Sequence, residues 1–295
     1  MTGQHTTARV TAGFGRHYLV EDTHGHVRIA TRRGKRSDII VGDQVRLTVD
    51  SSAQAAIEEV LPRVSVLMRA EGMREKTLAA NIDQIAVVFA ARPAFNPHFV
   101  WRALLATHEA GIEAVAVLNK NDLPDIAPAR AFLAQLAALG HRTFAVSAKA
   151  AADEARATLL QVLRDRSTLL VGQSGMGKST LLNLLIPDAG ARTQEISTRL
   201  NLGRQTTSSS RWFRLPGGGA LVDSPGFQSF GLHHLDPPAL VAAMPDLARA
   251  AGTCRFLDCR HLDEPDCAVR AALARREIDP ERYAFYRQVM AESHG

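Results

Sequence analysis

The chain has 295 residues, 46% hydrophobic and 22% charged, the balance of a globular protein; this excludes a long disordered region and leaves room for two or three domains. A formal charge of +5 admits a polyanionic partner without requiring one. The opening MTGQHTTARV has no apolar core of signal-peptide length, and no run approaches the ~20 apolar residues of a membrane helix, so a cytoplasmic protein without a membrane partner is expected.

Residues 8–60 read as short strands broken by turn signals: ARVTAGFGRHYLVED, the turn THGH, VRIATRRGKR, VGDQVRLTVD and AAIEEVL. The expectation over residues 1–64 is a small barrel like the oligonucleotide-binding fold, whose strand face and loops suit nucleic acid. Its basic run Arg32-Arg33-Gly34-Lys35-Arg36 is either a solvated, edge-protecting charge cluster or an RNA contact.

From residue 82 apolar strands alternate with helices: IDQIAVVFAA, FVWRALLATHEAG, IEAVAVLNK, APARAFLAQLAALG, RTFAVSAK, EARATLLQVLRD and STLLVGQ. This is the pattern of a parallel sheet covered by helices, and it sets the second domain at residues 65–231. Four motifs fall just after strands, where nucleotide chemistry belongs in such a sheet. They are Asn119-Lys120-Asn121-Asp122, Ser147-Ala148-Lys149, the loop GQSGMGKS at 172–179, and Asp223-Ser224-Pro225-Gly226.

In that loop Gly172, Gln173, Ser174, Gly175, Met176 and Gly177 let successive backbone N–H groups face phosphates, while the helix opening at Lys178, Ser179 and Thr180 directs its N-terminal dipole there. Lys178 is expected to reach the β- and γ-phosphates and Ser179 to hold Mg²⁺, with Asp223 behind a bound water. Asp122 can accept from N1–H and the N2 amine of guanine together. Adenine lacks that pair of donors and leaves a carboxylate unpaired, at a cost of about 1–3 kcal/mol. Lys120 is expected to lie along the base, Asn119 to tie its loop to the phosphate loop, and the Ala148 N–H to meet the guanine oxygen. Thr207, or alternatively Thr206, sits where a closing loop supplies a threonine to Mg²⁺, and the Gly226 N–H is placed for the γ-phosphate. Phe227, next in sequence, cannot orient water.

After Phe230 come Pro237-Pro238, the helical ALVAAMPDLARA, and then all three cysteines of the chain, between Cys254 and Cys267. An odd, clustered count argues against disulfides. Cys254, Cys259, His261 and Cys267 have the types and spacing of a closed Cys₃His site for one structural zinc. Arg255, Arg260, Arg270, Arg275 and Arg276 either contact RNA phosphates or are ordinary helix-surface charges. VRAALARREI and ERYAFYRQVMAES complete a mainly helical third domain at residues 232–295, with Tyr283, Phe285, Tyr286 and Val289 read as packing rather than a stacking surface.

The base-recognition motif precedes the phosphate loop, the reverse of an ordinary GTPase. With this order, a GRxTT segment, DxPGF and Cys-x4-Cys-x-His-x5-Cys, nearly the whole chain resembles the circularly permuted ribosome-assembly GTPases of the RsgA type. The resemblance implies a barrel, a permuted GTPase domain and a zinc domain. It also implies slow GTP hydrolysis that the small ribosomal subunit stimulates during late maturation, through binding of the subunit and its rRNA. One departure is Gln205, where that family carries a histidine treated as the water-positioning candidate. Glutamine can orient water but is no general base, so Gln205 is either a catalytic residue or a neutral loop residue. A nucleotide-sensing RNA binder and a phosphate-loop kinase are the alternatives; the kinase leaves Asn119–Asp122 unexplained. Permutation also makes the segment after Asp223 a tether to the third domain, so nucleotide state is expected to set that domain's angle. A monomer is the expected oligomeric state.

Overall fold

Alternation decides the N-terminal architecture. A computed structural model of the chain describes residues 4–32, 38–49, 53–71, 74–187, 189, 210–224, 230–232 and 235–293. Its strand β4 (Gln44–Val49) buries Val45 and Leu47 and exposes Gln44 and Arg46, the period of a strand with one wet face. With β1 (Gln4–Phe14), β2 (His17–Asp22), β3 (Val27–Arg32) and β5 (Gln54–Val60) it forms the hydrogen-bonded order β1–β2–β3–β5–β4, and β4 returns to β1 to close a barrel. Only the β3–β5 pair of this barrel is parallel. Val10, Val20, Ala30, Val45, Leu47 and Ile57 fill its interior. Arg32 pairs with Asp38; residues 33–36 of the basic run lie outside the described residues.

A hairpin of β6 (Val66–Glu71) and β7 (Arg74–Ala80) joins the barrel to the next unit. The sequence reading passes over it. The Ala80 N–H donates to Val41 O at 3.0 Å on the barrel side. Ser65 Oγ donates to Ile82 O at 2.7 Å and accepts the Ile82 N–H at 2.9 Å.

The second unit runs β8 (Gln84–Phe89), α1 (Pro97–Glu109), β9 (Glu113–Leu118), α2 (Ala127–Ala138), β10 (Arg142–Ala145), α3 (Ala152–Val162), β11 (Ser167–Val171), α4 (Lys178–Leu185), β12 (Arg211–Arg214) and β13 (Ala220–Asp223). Its strands lie in the order β10–β9–β8–β11–β13–β12, parallel except β12. β8 and β11 are buried at every position, which is why they are apolar from Ile85 to Phe89 and from Leu169 to Val171; the buried polar residues at their starts include Thr168 and Gln84, which bond to each other at 3.1 Å. The parallel strands bring their carboxyl ends to one edge, and all four motifs begin there. β12 was not legible as a strand. It pairs antiparallel with β13 and, at Ala12↔Arg211, with barrel strand β1. Beside that junction Arg9 lies over the Trp212 ring at 5.6 Å and Arg214 pairs with Glu21 at 2.7 Å.

The C-terminal segment forms α5 (Pro237–Ala242), α6 (Pro245–Ala251), α7 (Ala268–Ala274) and α8 (Pro280–Glu292). The stretch ALVAAMPDLARA, read as one helix, breaks at Met244, which is extended at φ −118, ψ 92. Pro245 imposes this by crowding the preceding residue and lacking an N–H. α8 buries Tyr283, Phe285, Tyr286 and Val289. Phe285 meets Trp101 and His98 of α1 at centroid distances of 5.5 and 5.3 Å. Arg102 of α1 pairs with Glu292 of α8, and Arg282 pairs with buried Asp246 at 2.6 Å while lying over Trp101. The C-terminal helices therefore share one apolar core with the α/β unit. Phe285→Ala should cost about 3–5 kcal/mol in urea denaturation, the range for emptying a buried aromatic site; a loss below about 1 kcal/mol would show that the α1–α8 contact carries no stability.

Candidate nucleotide site and metal cluster

The loop between β11 and α4 holds its shape because two glycines leave room for neighbours. A Cβ on Gly172 would stand 2.3 Å from Val88 O. One on Gly177, at φ +96, would stand 2.3 Å from Asn119 Nδ2, where the left-handed backbone also favours glycine. Lys178, at the first turn of α4, donates to Gly172 O and to Gln173 O at 2.9 Å, so its ammonium lies over the loop. Gln173 Oε1 accepts the Asn96 N–H at 2.7 Å and ties the loop to the start of α1. Ser174, Gly175 and Ser179 are exposed, Thr180 is half-buried and Met176 is buried beneath them.

The residues expected to read the base converge on this loop from the ends of β9 and β10. Asn119, 1% exposed, donates from Nδ2 to Met176 O at 3.0 Å. Its Oδ1 accepts the Ala148 N–H at 3.3 Å, so that N–H, expected to face a guanine oxygen, is directed to Asn119. Lys120, at φ 57, donates to Arg92 O at 2.7 Å and Gly175 O at 2.8 Å. Its stem thereby spans the gap between the two loops as a wall. Asp122 is exposed, and its carboxylate has no hydrogen-bond partner among the described residues. Ser147 is half-buried, its carbonyl accepting the Ala151 N–H, and Lys149 is exposed.

Asp223 closes the site at the end of β13. Burial raises its pKa, and Lys178 and Arg211 oppose the rise. Burial likewise lowers Lys178 and Arg211, each opposed by Asp223. Three half-buried charges thus share one neighbourhood, with two cations set toward one acid, an arrangement suited to a polyanion and its metal counter-ion. Gln205, Thr206, Thr207, Gly226 and Phe227 lie outside the described residues.

The cysteine–histidine motif forms a second centre. Ligand atoms of Cys254, Cys259, His261 and Cys267 all lie within 4.8 Å of one another. His261 Nδ1 is 3.5 Å from both Cys254 Sγ and Cys267 Sγ, and those two sulfurs are 4.0 Å apart. A tetrahedral ion with metal–sulfur bonds of about 2.3 Å and a metal–nitrogen bond of about 2.0–2.1 Å would space sulfurs about 3.8 Å apart and sulfur from nitrogen by about 3.5 Å. The donor set fits such an ion. Burial pushes the Cys259 thiol up to about 12, and a bound cation is what makes a thiolate stable in such a place. Tyr283 and Tyr286 of α8 donate to His261 O and Arg260 O, both at 2.6 Å, and so brace the cluster from the helix. Glu264 accepts the Arg260 and Leu262 N–H groups at 2.8 and 2.9 Å.

The sequence reading missed several residues at the nucleotide site: the Gln173 side chain as a strut to α1, Arg92 beneath Lys120, and Arg211 beside Asp223. None belongs to a motif position with a fixed partner. Their contacts depend on loops and strands brought together only by the sheet.

The RsgA GTPase family model matches residues 60–233. A small ribosomal subunit biogenesis GTPase RsgA from Burkholderia pseudomallei strain 668 is 45% identical over 293 residues, 99% of this chain and 93% of the relative. The protein of the same name from Paraburkholderia phymatum is 47% identical over 287 residues, 96% and 90% of the two chains. The crystal structure of YjeQ from Thermotoga maritima superposes with a TM-score of 0.75 at 27% identity, covering 99% of each chain.

Asn119→Ala removes both partners of Met176 O and Ala148 N–H from a buried place, and each unmade bond there costs about 1–3 kcal/mol. Guanine-nucleotide affinity measured by fluorescent-analogue titration should fall at least about ten-fold; unchanged affinity would show that the carboxamide does not organise the site.

Proposed function

Because the chain belongs to the RsgA GTPase family and is a GTPase, we propose that it acts on the small ribosomal subunit. It binds the subunit and its rRNA through the barrel and the C-terminal unit late in maturation, and GTP hydrolysis to GDP and phosphate times its release. Residues 1–64 serve as the nucleic-acid-binding barrel, 65–231 as the GTPase domain and 232–295 as the zinc-binding domain. The observation that supports the reading is the convergence of residues 119–122, 147–149 and 172–179 on one buried carboxamide, as expected if a base-reading carboxylate and a phosphate cradle share one site.

Asp122 reads guanine, assisted by Asn119, Lys120, Ser147, Ala148 and Lys149. The 172–180 loop and Lys178 neutralise the phosphates, and Gly226 contacts the γ-phosphate. Ser179 and Thr207, with Asp223 in support, are the residues that would hold Mg²⁺, which would supply neutralisation of phosphate charge. Gln205 orients the attacking water. The Cys254, Cys259, His261 and Cys267 cluster takes zinc, because three thiolates and an imidazole with no open position match a closed structural site. The working form is a monomer in the cytoplasm, where the subunits are assembled. No helix among the described residues is long and apolar enough to cross a membrane.

GTP turnover at fixed salt should rise with small subunits and not with large subunits or assembled ribosomes. Gln205→Ala should lower that stimulated kcat at least about ten-fold, as loss of one transition-state contact does; tight GTP binding with no stimulation by any particle would favour the nucleotide-sensing RNA binder. Metal analysis of the purified protein should give about one zinc per chain, and Cys267→Ser should lose it and lower the melting temperature. Full stability of a zinc-free protein would contradict the structural role.

A further inference from the structure

Between β9 and α2 the segment 119–126 must hold the Asp122 carboxylate at a fixed angle, yet Asp122 is exposed and makes no bond of its own among the described residues. Its aim therefore depends on how its neighbours are pinned. On one side, Arg130 of α2 donates from Nε to Asn121 Oδ1 at 2.8 Å and from Nη2 to Asn121 O at 3.3 Å. That carbonyl belongs to the peptide leading into Asp122. The Asn121 N–H goes to Val146 O at 3.1 Å, just before Ser147. On the other side, Arg92 of the β8–α1 loop pairs through Nε with Asp125, while its own carbonyl accepts Lys120 Nζ at 2.7 Å. Lys120, Arg92 and Asp125 thus close a ring around the turn that carries Asp122, in which the Leu123 N–H donates to Lys120 O at 3.2 Å.

We propose that Arg92 and Arg130 are positioning residues for guanine selectivity, gripping the recognition turn from two helices' approaches so that Asp122 meets both the N1–H and the N2 amine of the base. The assignment rests on the reading of Asp122 given above. Neither arginine touches the base in this scheme; each acts through the backbone on which Asp122 is mounted. Asn121, at the open position of the Asn-Lys-x-Asp pattern, is the handle for Arg130, and Asp125 is the handle for Arg92.

Inosine triphosphate separates positioning from general support, because hypoxanthine keeps N1–H and lacks the N2 amine. A loosened Asp122 loses the two-pronged bond to guanine and has less to lose with inosine. Dissociation constants for GTP, ITP and ATP are measured by competition against a fluorescent GDP analogue on the full-length protein and on Arg92→Ala, Arg130→Ala, Arg130→Lys and Asn121→Ala. For exposed contacts of this kind the expected loss of GTP affinity is about two- to five-fold per alanine variant. ITP affinity should change less, so the GTP-to-ITP preference narrows. Arg130→Lys should recover part of it, and Arg130→Ala combined with Asn121→Ala should be no worse than the poorer single variant. Equal losses for GTP and ITP, an unchanged preference, or full additivity of Arg130→Ala with Asn121→Ala would overturn the proposal. If the unaltered protein itself fails to prefer GTP over ATP, the reading of Asp122 fails first.

Discussion

The site hangs on one buried carboxamide. Asn119 is 57 residues from Met176 and 29 from Ala148, yet its amide satisfies a carbonyl of the phosphate loop and an N–H of the second base-recognition loop at once. In a buried setting neither partner has water to fall back on, so the three loops stay registered to one another. Such a clasp is indifferent to chain order. It needs only that β9, β10 and β11 end at the same edge of the sheet, and their parallel pairing within the order β10–β9–β8–β11 supplies that. Permutation can therefore move residues 119–149 ahead of the phosphate loop without loosening the clasp.

What permutation does change is where the flanking units attach. The barrel joins the sheet at its β12 edge, through a single registered residue pair, the Arg9–Trp212 stacking contact and the Arg214–Glu21 pair. β12 in turn lies against β13, with Arg211 opposite Asp223. The C-terminal unit leaves from the segment after Asp223, but α8 returns to pack on α1. Trp101 and Phe285 are both buried there, and Arg282 lies over the Trp101 ring. A change in the angle of that unit, which the tether by itself suggests, would have to separate these groups. Separation is expensive because it would expose the buried aromatic surface of Trp101 and Phe285 to water.

Much of this was legible because the signals are local. Alternation in Gln44–Val49 and continuous burial in β8 and β11 follow from which faces meet water, and both are written in hydrophobic spacing. The spacing of Tyr283, Phe285, Tyr286 and Val289 marked a packing face, and those residues are buried against α1 and the metal cluster. The four nucleotide motifs and the Cys₃His set carry their chemistry in their own residue types. The β6–β7 hairpin and β12 were not legible. β12 is four residues long and becomes a strand only because β13 and β1 supply partners on either side. Arg92 and Arg130 were invisible for a related reason: an exposed arginine reads as a solvated charge until the fold puts Asp125 or Asn121 within its reach.

The most direct measurement is the nucleotide preference of Asp122→Asn. Xanthine carries a carbonyl where guanine carries the N2 amine, so an asparagine amide can donate to it while a carboxylate can only repel it. If Asp122 reads the base in a site shared with Lys178 and the phosphate loop, the variant should lose GTP, gain XTP and hydrolyse it. A variant that keeps its preference for GTP, or that loses GTP without gaining XTP, would contradict the assignment of one joint site for base and phosphates.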